Sequence, residues 1–412
     1  DPQPTNKVTA NPHPTRANRM GSSLSPVPKP DALMSAPGFS LLLEPPTSPF
    51  DLRSKVAGLN LPLRLALSAQ AAGASAIVLS PSAEGLRDLL ADPRLRLPVL
   101  TEEEHRAAHP GEALIAVPAN LVVHRGLFQA ARDVLLPGER RPLLEKPVAF
   151  DPPFGFAPIP VTDRASAAQA EKALLRSLRK PQDGWTSTYL NRHISLFLTR
   201  LLVRTPLRPN QVSLGILAIG LTGAWLASQG TYGSMLAGAF CFQMQSVLDG
   251  CDGEMSRLTF RGSKLGEWLD TIGDDLTNYG FFAGAAWGLY SATNNPIYLA
   301  LGGVVLLCGI TGSAIEYAYL IRIGSGDLLK YPLGVGKAEG GGKATTTLGK
   351  LADAVSPLFK RDTFVLLTLI GAALDLLGAF LAIFAAGAIG VLVAIIKAEI
   401  RMTKERRALK AT

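Results

Sequence analysis

A chain of 412 residues carries 41 Lys and Arg against 33 Asp and Glu, a formal charge of +8, and 47% of its residues are hydrophobic. That length accommodates two or three folded units. The basic balance and a mean hydropathy of +0.22 exclude an acidic solvated chain but leave a nucleic acid or a membrane surface as partner. Cys241, Cys251 and Cys308 lie in apolar segments without paired spacing, which excludes a disulfide framework and a zinc site; they read as buried packing residues.

Residues 1–37 are polar and Pro-rich, with no secretory pattern and no periodicity, and are expected to be disordered. Over 38–162, short apolar runs alternate with helical ones: strands at 39–44, 76–80 and 113–117, helices at 61–72 and 82–91. Alternation of this kind predicts a small parallel α/β domain whose binding edge is the loops after the strands. Residues 163–208 form a connector: an Ala-rich charged helix over 163–180, a break at Lys180-Pro-Gln-Asp-Gly-Trp185, then an amphipathic stretch over 189–203. There Leu190, Ile194, Phe197, Leu198, Leu201 and Leu202 share one face, with Asn191, Arg192, Arg200 and Arg204 toward the other. The pattern predicts a helix along the membrane surface, against the plainer reading of an amphipathic helix packed on the soluble domain.

From 209 to 400 the chain turns apolar, with segments at 210–228, 233–256, 264–291, 296–321, 358–374 and 377–397, followed by a basic tail at 401–412. Most reach the roughly 20 residues that cross a hydrocarbon core. Arg200, Arg204 and Arg208 precede the first span, and Arg257, Arg261 and Lys264 join the second to the third. Lys330, Lys337, Lys343, Lys350, Lys360 and Arg361 fill the fourth-to-fifth connection, and Lys397, Arg401, Lys404, Arg406, Arg407 and Lys410 follow the sixth. The other three loops, near Gln229, Asn294 and Asp375, contain no Lys or Arg. The expected fold is therefore an α-helical membrane protein with six transmembrane helices and both termini cytoplasmic, preceded by a small cytoplasmic α/β domain. Because the positive charge follows the loops, nucleic acid is not an expected partner.

The second and third spans keep acidic groups that a bilayer disfavours by about 3 kcal/mol each. Asp249 and Asp252 are three apart and Asp270 and Asp274 four apart, so each pair projects from one helix face. Joined by a short turn, the two helices are expected to be antiparallel neighbours with all four carboxylates converging. Such a cluster needs cations, and oxygen-only ligands select two hard divalent ions, Mg²⁺ or Mn²⁺. Gly253 and Gly266 open space for a ligand, and Arg257 suits a phosphate clamp.

Read together, Asp249-Gly-Cys-Asp252-Gly253-Glu-Met-Ser256-Arg257, eight residues, Gly266, three residues, Asp270, three residues and Asp274 resemble the motif of the CDP-alcohol phosphotransferase family. Seven of its eight fixed positions match, and Ser256 stands where alanine is usual. Asp275 falls outside the pattern. Asp183-Gly-Trp185, Asn191-Arg-His-Ile-Ser195 and Arg208-Pro-Asn-Gln-Val-Ser213 look like the subgroup in which a cytidylyltransferase-like domain is fused to the membrane enzyme. That subgroup includes archaeal enzymes making di-inositol phosphate compounds. The resemblance covers about residues 180–400 well and the front domain only loosely.

What the resemblance implies is transfer of a substituted phosphate from a CDP-linked donor (CDP-diacylglycerol or a CDP-inositol-like compound) to an alcohol or inositol phosphate acceptor, with release of CMP. Asp249, Asp252 and Asp270 would be the main metal ligands. Asp274 would touch the second metal and act as base, and Gly253, Ser256, Arg257 and Gly266 would face the donor. A homodimer is likewise implied. Lys360 and Arg361 could meet a phosphorylated acceptor or merely anchor the fifth span. In the front domain, Glu44-Pro45-Pro46-Thr47-Ser48-Pro49 replaces a Gly-rich phosphate loop, and Ala119-Asn120 stands where a metal-binding aspartate is expected, which reads as a degenerate, nucleotidyltransferase-like scaffold. A cation transporter built on intramembrane carboxylates and a catalytically inert membrane anchor are the competing classes.

Overall fold

The computed structural model describes residues 38–144, 150–151, 155–179, 184–333 and 361–411. The expected disorder of 1–37, and Lys180, Asp183, Lys337, Lys343, Lys350, Lys360 and Lys410 as side chains, lie outside that description.

The front domain is built on strands β1 (Phe39–Glu44), β2 (Ile77–Leu79), β3 (Val99–Thr101), β4 (Ala113–Pro118) and β6 (Arg140–Pro142), paired throughout in parallel in the order β3-β2-β1-β4-β6. The three foreseen strands appear where the apolar runs lie. β3 and β6, which were not among the expected strands, are as short as β2 but only partly buried, and β6 is Arg-Arg-Pro with no apolar run. Helices α1 (Leu61–Ala71), α2 (Glu102–Ala108) and α3 (Gly126–Arg132) accompany the sheet, and β5 (Leu121–Val122) pairs with β7 (Ile159–Pro160). Asn60 caps α1 by accepting from Leu63 N at 2.9 Å, with Pro62 in the first turn. The helix expected at 82–91 is instead tighter 3₁₀ geometry over Pro81–Leu90, where Pro81 starts the run and Gly85 weakens α-helical propensity.

Strand order reverses at β1, so the crevice beyond β1 and β4 is where an open parallel sheet would take a nucleotide. Asn120, fully buried, fills it: its Oδ1 accepts from Thr47 N at 3.1 Å, and its Nδ2 donates to Val161 O at 3.1 Å. The amide after the proline pair, which could have met a phosphate, is thereby already used.

Helix α4 (Arg164–Arg176) leads to α5 (Arg192–Leu202), which is inverted relative to a soluble helix. Its polar residues Arg192, Ser195 and Thr199 are buried, while Ile194, Phe197 and Leu201 are exposed, as are Trp185, Tyr189 and Leu190 before it. An apolar outer face and a polar inner one suit a helix whose outer side meets an apolar environment. Side chains also tie the α5 segment to α4, because Glu171 accepts from Arg200 Nε and from Arg204 Nη2 just past α5, each at 3.1 Å.

Six helices follow: α6 (Pro209–Ala227), α7 (Tyr232–Thr259), α8 (Lys264–Thr293), α9 (Ile297–Ile323), α10 (Arg361–Ala373) and α11 (Leu377–Ala411). Three of them, α6, α9 and α11, are long and apolar enough by length and composition to cross a bilayer. α7 and α8 are long enough, but their carboxylates lower the mean hydropathy, and only 13 residues of α10 are described. Exposed Leu214, Trp225, Trp287, Leu307, Ile310 and Ile383 give the helical part the lipid-facing exterior of a membrane protein. α11 continues as helix through Arg401, Lys404, Arg406 and Arg407, so much of the basic tail extends the last span rather than forming a separate segment.

α7 and α8 are neighbours, with the Phe242–Phe281 stack between them (ring centres 4.4 Å apart), and α6 packs more extensively against each of them than they do against one another. Glycines permit this close approach of α6, since a Cβ at Gly223 would stand 2.8 Å from Gly238 O. The cysteines are unpaired, but only Cys251 is fully buried; Cys241 and Cys308 are half-buried.

Candidate active site between the helices

The two acidic pairs, one on α7 and one on α8, meet. Carboxylate oxygens of Asp249, Asp270 and Asp274 all lie within 4.8 Å of one another. Asp252 stands beside this triad rather than in it, because Ser213 Oγ and the Gly253 amide both donate to its carboxylate. All four aspartates nevertheless line one narrow passage, together with Ser213 and Gln245.

That passage separates two larger cavities. The first, about 290 Å³, is lined by Asp252, Gly253, Ser256, Arg257, Gly266 and Asp270, which includes every residue expected at the donor. A Cβ at Gly266 would come within 3.0 Å of Asn210 Oδ1 and narrow this cavity. The second, about 300 Å³, lies on the Asp249 and Asp274 side and is lined also by Asn191, Arg192, Ser195 and Arg361.

Arg361 acts as the cation of the cluster. Its Nη1 donates to Asp249 Oδ2 at 3.0 Å and to Asp274 Oδ2 at 2.6 Å, and its Nη2 donates to Gln245 Oε1 at 2.8 Å. A guanidinium bridging two carboxylates, beside a third within reach, shows that the site demands positive charge, and its all-oxygen donor set fits a hard divalent ion. Anchoring of a span therefore does not describe Arg361, whose charge is spent on the carboxylates rather than toward a membrane surface.

Sequence reasoning missed the groups that hold the scaffold. Glu254, inside the motif and fully buried, accepts from Arg192 Nη1 at 2.6 Å, Ser195 Oγ at 2.9 Å and Thr199 Oγ1 at 2.7 Å. These three donors all lie on α5, so the surface helix is clamped onto the motif helix. The available signal was an unexplained acid in an apolar segment beside the polar i, i+3, i+7 stripe of α5. From the other side, two front-domain arginines reach the carbonyl end of α7: Arg64 Nη1 donates to Leu258 O at 3.0 Å and Arg94 Nη1 to Thr259 O at 2.7 Å. Cations at a helix C-terminus meet both its unpaired carbonyls and its dipole.

Comparison with known proteins agrees with this geometry. Residues 207–333 match the family described as CDP-alcohol phosphatidyltransferase. The chain is similar to proteins named bifunctional IPC transferase and DIPP synthase: 34% identical over 140 residues to that of Thermococcus kodakarensis, covering 34% of this chain and 31% of the relative. To the Aquifex aeolicus protein it is 27% identical over 211 residues, 48% of each. To the Archaeoglobus fulgidus protein it is 33% identical over 148 residues, 36% of this chain and 29% of the relative. The matches thus span at most about half the length of these relatives. The stretch 207–333 that carries Asp249, Asp252, Asp270, Asp274, the motif glycines and Arg257 is thus similar to the CDP-alcohol phosphatidyltransferase family.

Proposed function

We propose that the protein transfers a substituted phosphate group from a CDP-linked donor to the hydroxyl of an alcohol or inositol phosphate, releasing CMP. The observation that carries this reading is the meeting of two separate cavities at four aspartates. One cavity is lined with the motif glycines and Arg257 for a donor diphosphate, and the other is lined with arginines for an acceptor. Two Mg²⁺ or Mn²⁺ ions, held by Asp249, Asp252, Asp270 and Asp274, would supply charge neutralisation at the donor phosphates. Asp274, on the acceptor side, takes the proton of the attacking hydroxyl, and Arg257 meets the charge left on the departing CMP. The new P–O bond forms at the phosphorus distal to cytidine while the bond to the CMP oxygen breaks, giving a phosphodiester.

In this reading all six helices span the cytoplasmic membrane, both termini are cytoplasmic, the chains associate as a homodimer, and the front domain is a degenerate cytidylyltransferase retained as a scaffold. The domains are a front unit at 38–162, a connector at 163–208 and the transferase helices at 209–400. The buried Asn120 plug supports the scaffold role. Full-length protein given CTP and a sugar or inositol phosphate is accordingly expected to release no diphosphate; measurable diphosphate would restore a second activity to the front domain.

The central test is incubation of purified protein with Mn²⁺ and a panel of CDP-linked donors and acceptors, with CMP as readout. Absence of CMP from every pair, together with ion uptake in liposomes, would move the assignment to transport. Arg361 supplies a sharper probe of the acceptor side. Arg361→Ala is expected to raise the acceptor KM by about tenfold, equivalent to roughly 1.4 kcal/mol, with the donor KM little changed. An unchanged acceptor KM would remove Arg361 from acceptor recognition.

A further inference from the structure

The motif arginine faces a second cavity that the transfer reaction does not use. It is small, about 70 Å³, and lies where the front domain meets the end of α7, between Arg64 of α1, His124 and Arg125 before α3, and Arg257 and Leu258 of α7. Three arginines line it, and none of its lining residues is acidic. Arg64 is 97% buried, and although its two terminal nitrogens donate to the carbonyls of Leu258, Val56 and Ala57, its Nε is buried without a hydrogen-bond partner. Burial and the nearby Arg94 charge draw its pKa down only to about 10, so it remains a cation at neutral pH. Among the described residues Arg257 makes no hydrogen bond or close ion pair, and the charges acting on it are the attractive Glu254 and Asp252 and the repulsive Arg192 and Arg125. His124 is held neutral, since burial and Arg125 both lower its pKa, which leaves an imidazole able to donate without adding charge.

Arg64 is the buried cation here, with Arg257 part-buried and Arg125 exposed; no carboxylate lines the cavity, and an anion in it would meet all three guanidinium groups. A space of about 70 Å³ holds a few water-sized groups, enough for a tetrahedral oxyanion and too little for a nucleoside. We propose that this cavity binds a phosphate group between Arg64, Arg125 and Arg257, and so couples the front domain to the motif arginine. The site shares Arg257 with the donor cavity but uses none of the four aspartates. Its ligand is either free orthophosphate or the terminal phosphate of a small monoester.

Calorimetric titration of the full-length protein in detergent micelles, in chloride buffer without divalent metal, tests the site with orthophosphate and with glycerol phosphate. Saturable binding of orthophosphate is expected, weakened at least tenfold by Arg125→Gln and unchanged by Arg361→Ala. Arg125 sits at the exposed rim, so an unaltered unfolding midpoint for Arg125→Gln will confirm that folding is intact. Binding of both compounds identifies a terminal phosphate as the ligand group, and binding of orthophosphate alone identifies the free ion. Absence of saturable binding, or binding insensitive to Arg125→Gln, overturns the proposal. Loss of binding in Arg361→Ala also overturns it, because it would place the anion in the acceptor cavity.

Discussion

Asp249→Asn is expected to lower CMP release by about a thousandfold or more and to weaken Mn²⁺ and donor binding together. Asp274→Asn is expected to lose comparable turnover while keeping most donor binding. The distinction follows from position. Asp249 belongs to the close triad at the passage, and its loss removes a carboxylate from the group of oxygens that would hold the ions. Asp274 belongs to the same triad but faces the acceptor cavity, so an amide there removes the proton acceptor more than the donor's counterions. Both side chains share Arg361, and each substitution therefore leaves that guanidinium bonded to the remaining partner rather than stranded. Donor affinity by calorimetry and CMP release by chromatography would be measured on the same preparations. Near-normal CMP release by either variant would end the assignment of this cluster as the active site.

The largest expected loss of stability comes from a residue with no catalytic role here. Glu254→Ala removes the single carboxylate opposite Arg192, Ser195 and Thr199 in a fully buried setting. Breaking a buried pair from one side costs about 3–5 kcal/mol, whereas replacing both partners by apolar side chains is often neutral or better. Chemical unfolding in micelles should therefore show a loss of that order for Glu254→Ala, and most of it should be recovered in the double variant Arg192→Leu/Glu254→Leu. Protease cleavage within 187–202 should rise in the single variant, since α5 is held to α7 by these bonds. A loss below 1 kcal/mol with α5 still protected would show that lipid contact, rather than Glu254, holds the surface helix in place.

The front domain and the helical part meet at the end of the motif helix, which gives the molecule its internal logic. Arg64 and Arg94 satisfy carbonyls at Leu258 and Thr259, directly after Arg257. A parallel sheet whose crevice is filled by Asn120 thus contributes side chains beside the acidic motif helix.

Sequence by itself determined the features that depend on near neighbours along the chain. Helical spacing put Asp249 with Asp252 and Asp270 with Asp274, and the eight-residue interval to Gly266 carried the family resemblance. Apolar periodicity located β1, α1, β2 and most of the long helices, and it marked the amphipathic face of α5. Tertiary structure alone decided which faces meet. Glu254 and Arg192 are 62 residues apart, and Arg361 and Asp249 are 112 apart, so no local pattern could pair them. The same limit explains why α6 packs so extensively on both α7 and α8, and why the four aspartates resolve into a triad with Asp252 held aside by Ser213. Periodicity tells which residues share a surface; only the packing of surfaces, fixed by the small glycine contacts and buried charges, makes the acidic helices into one site with two cavities.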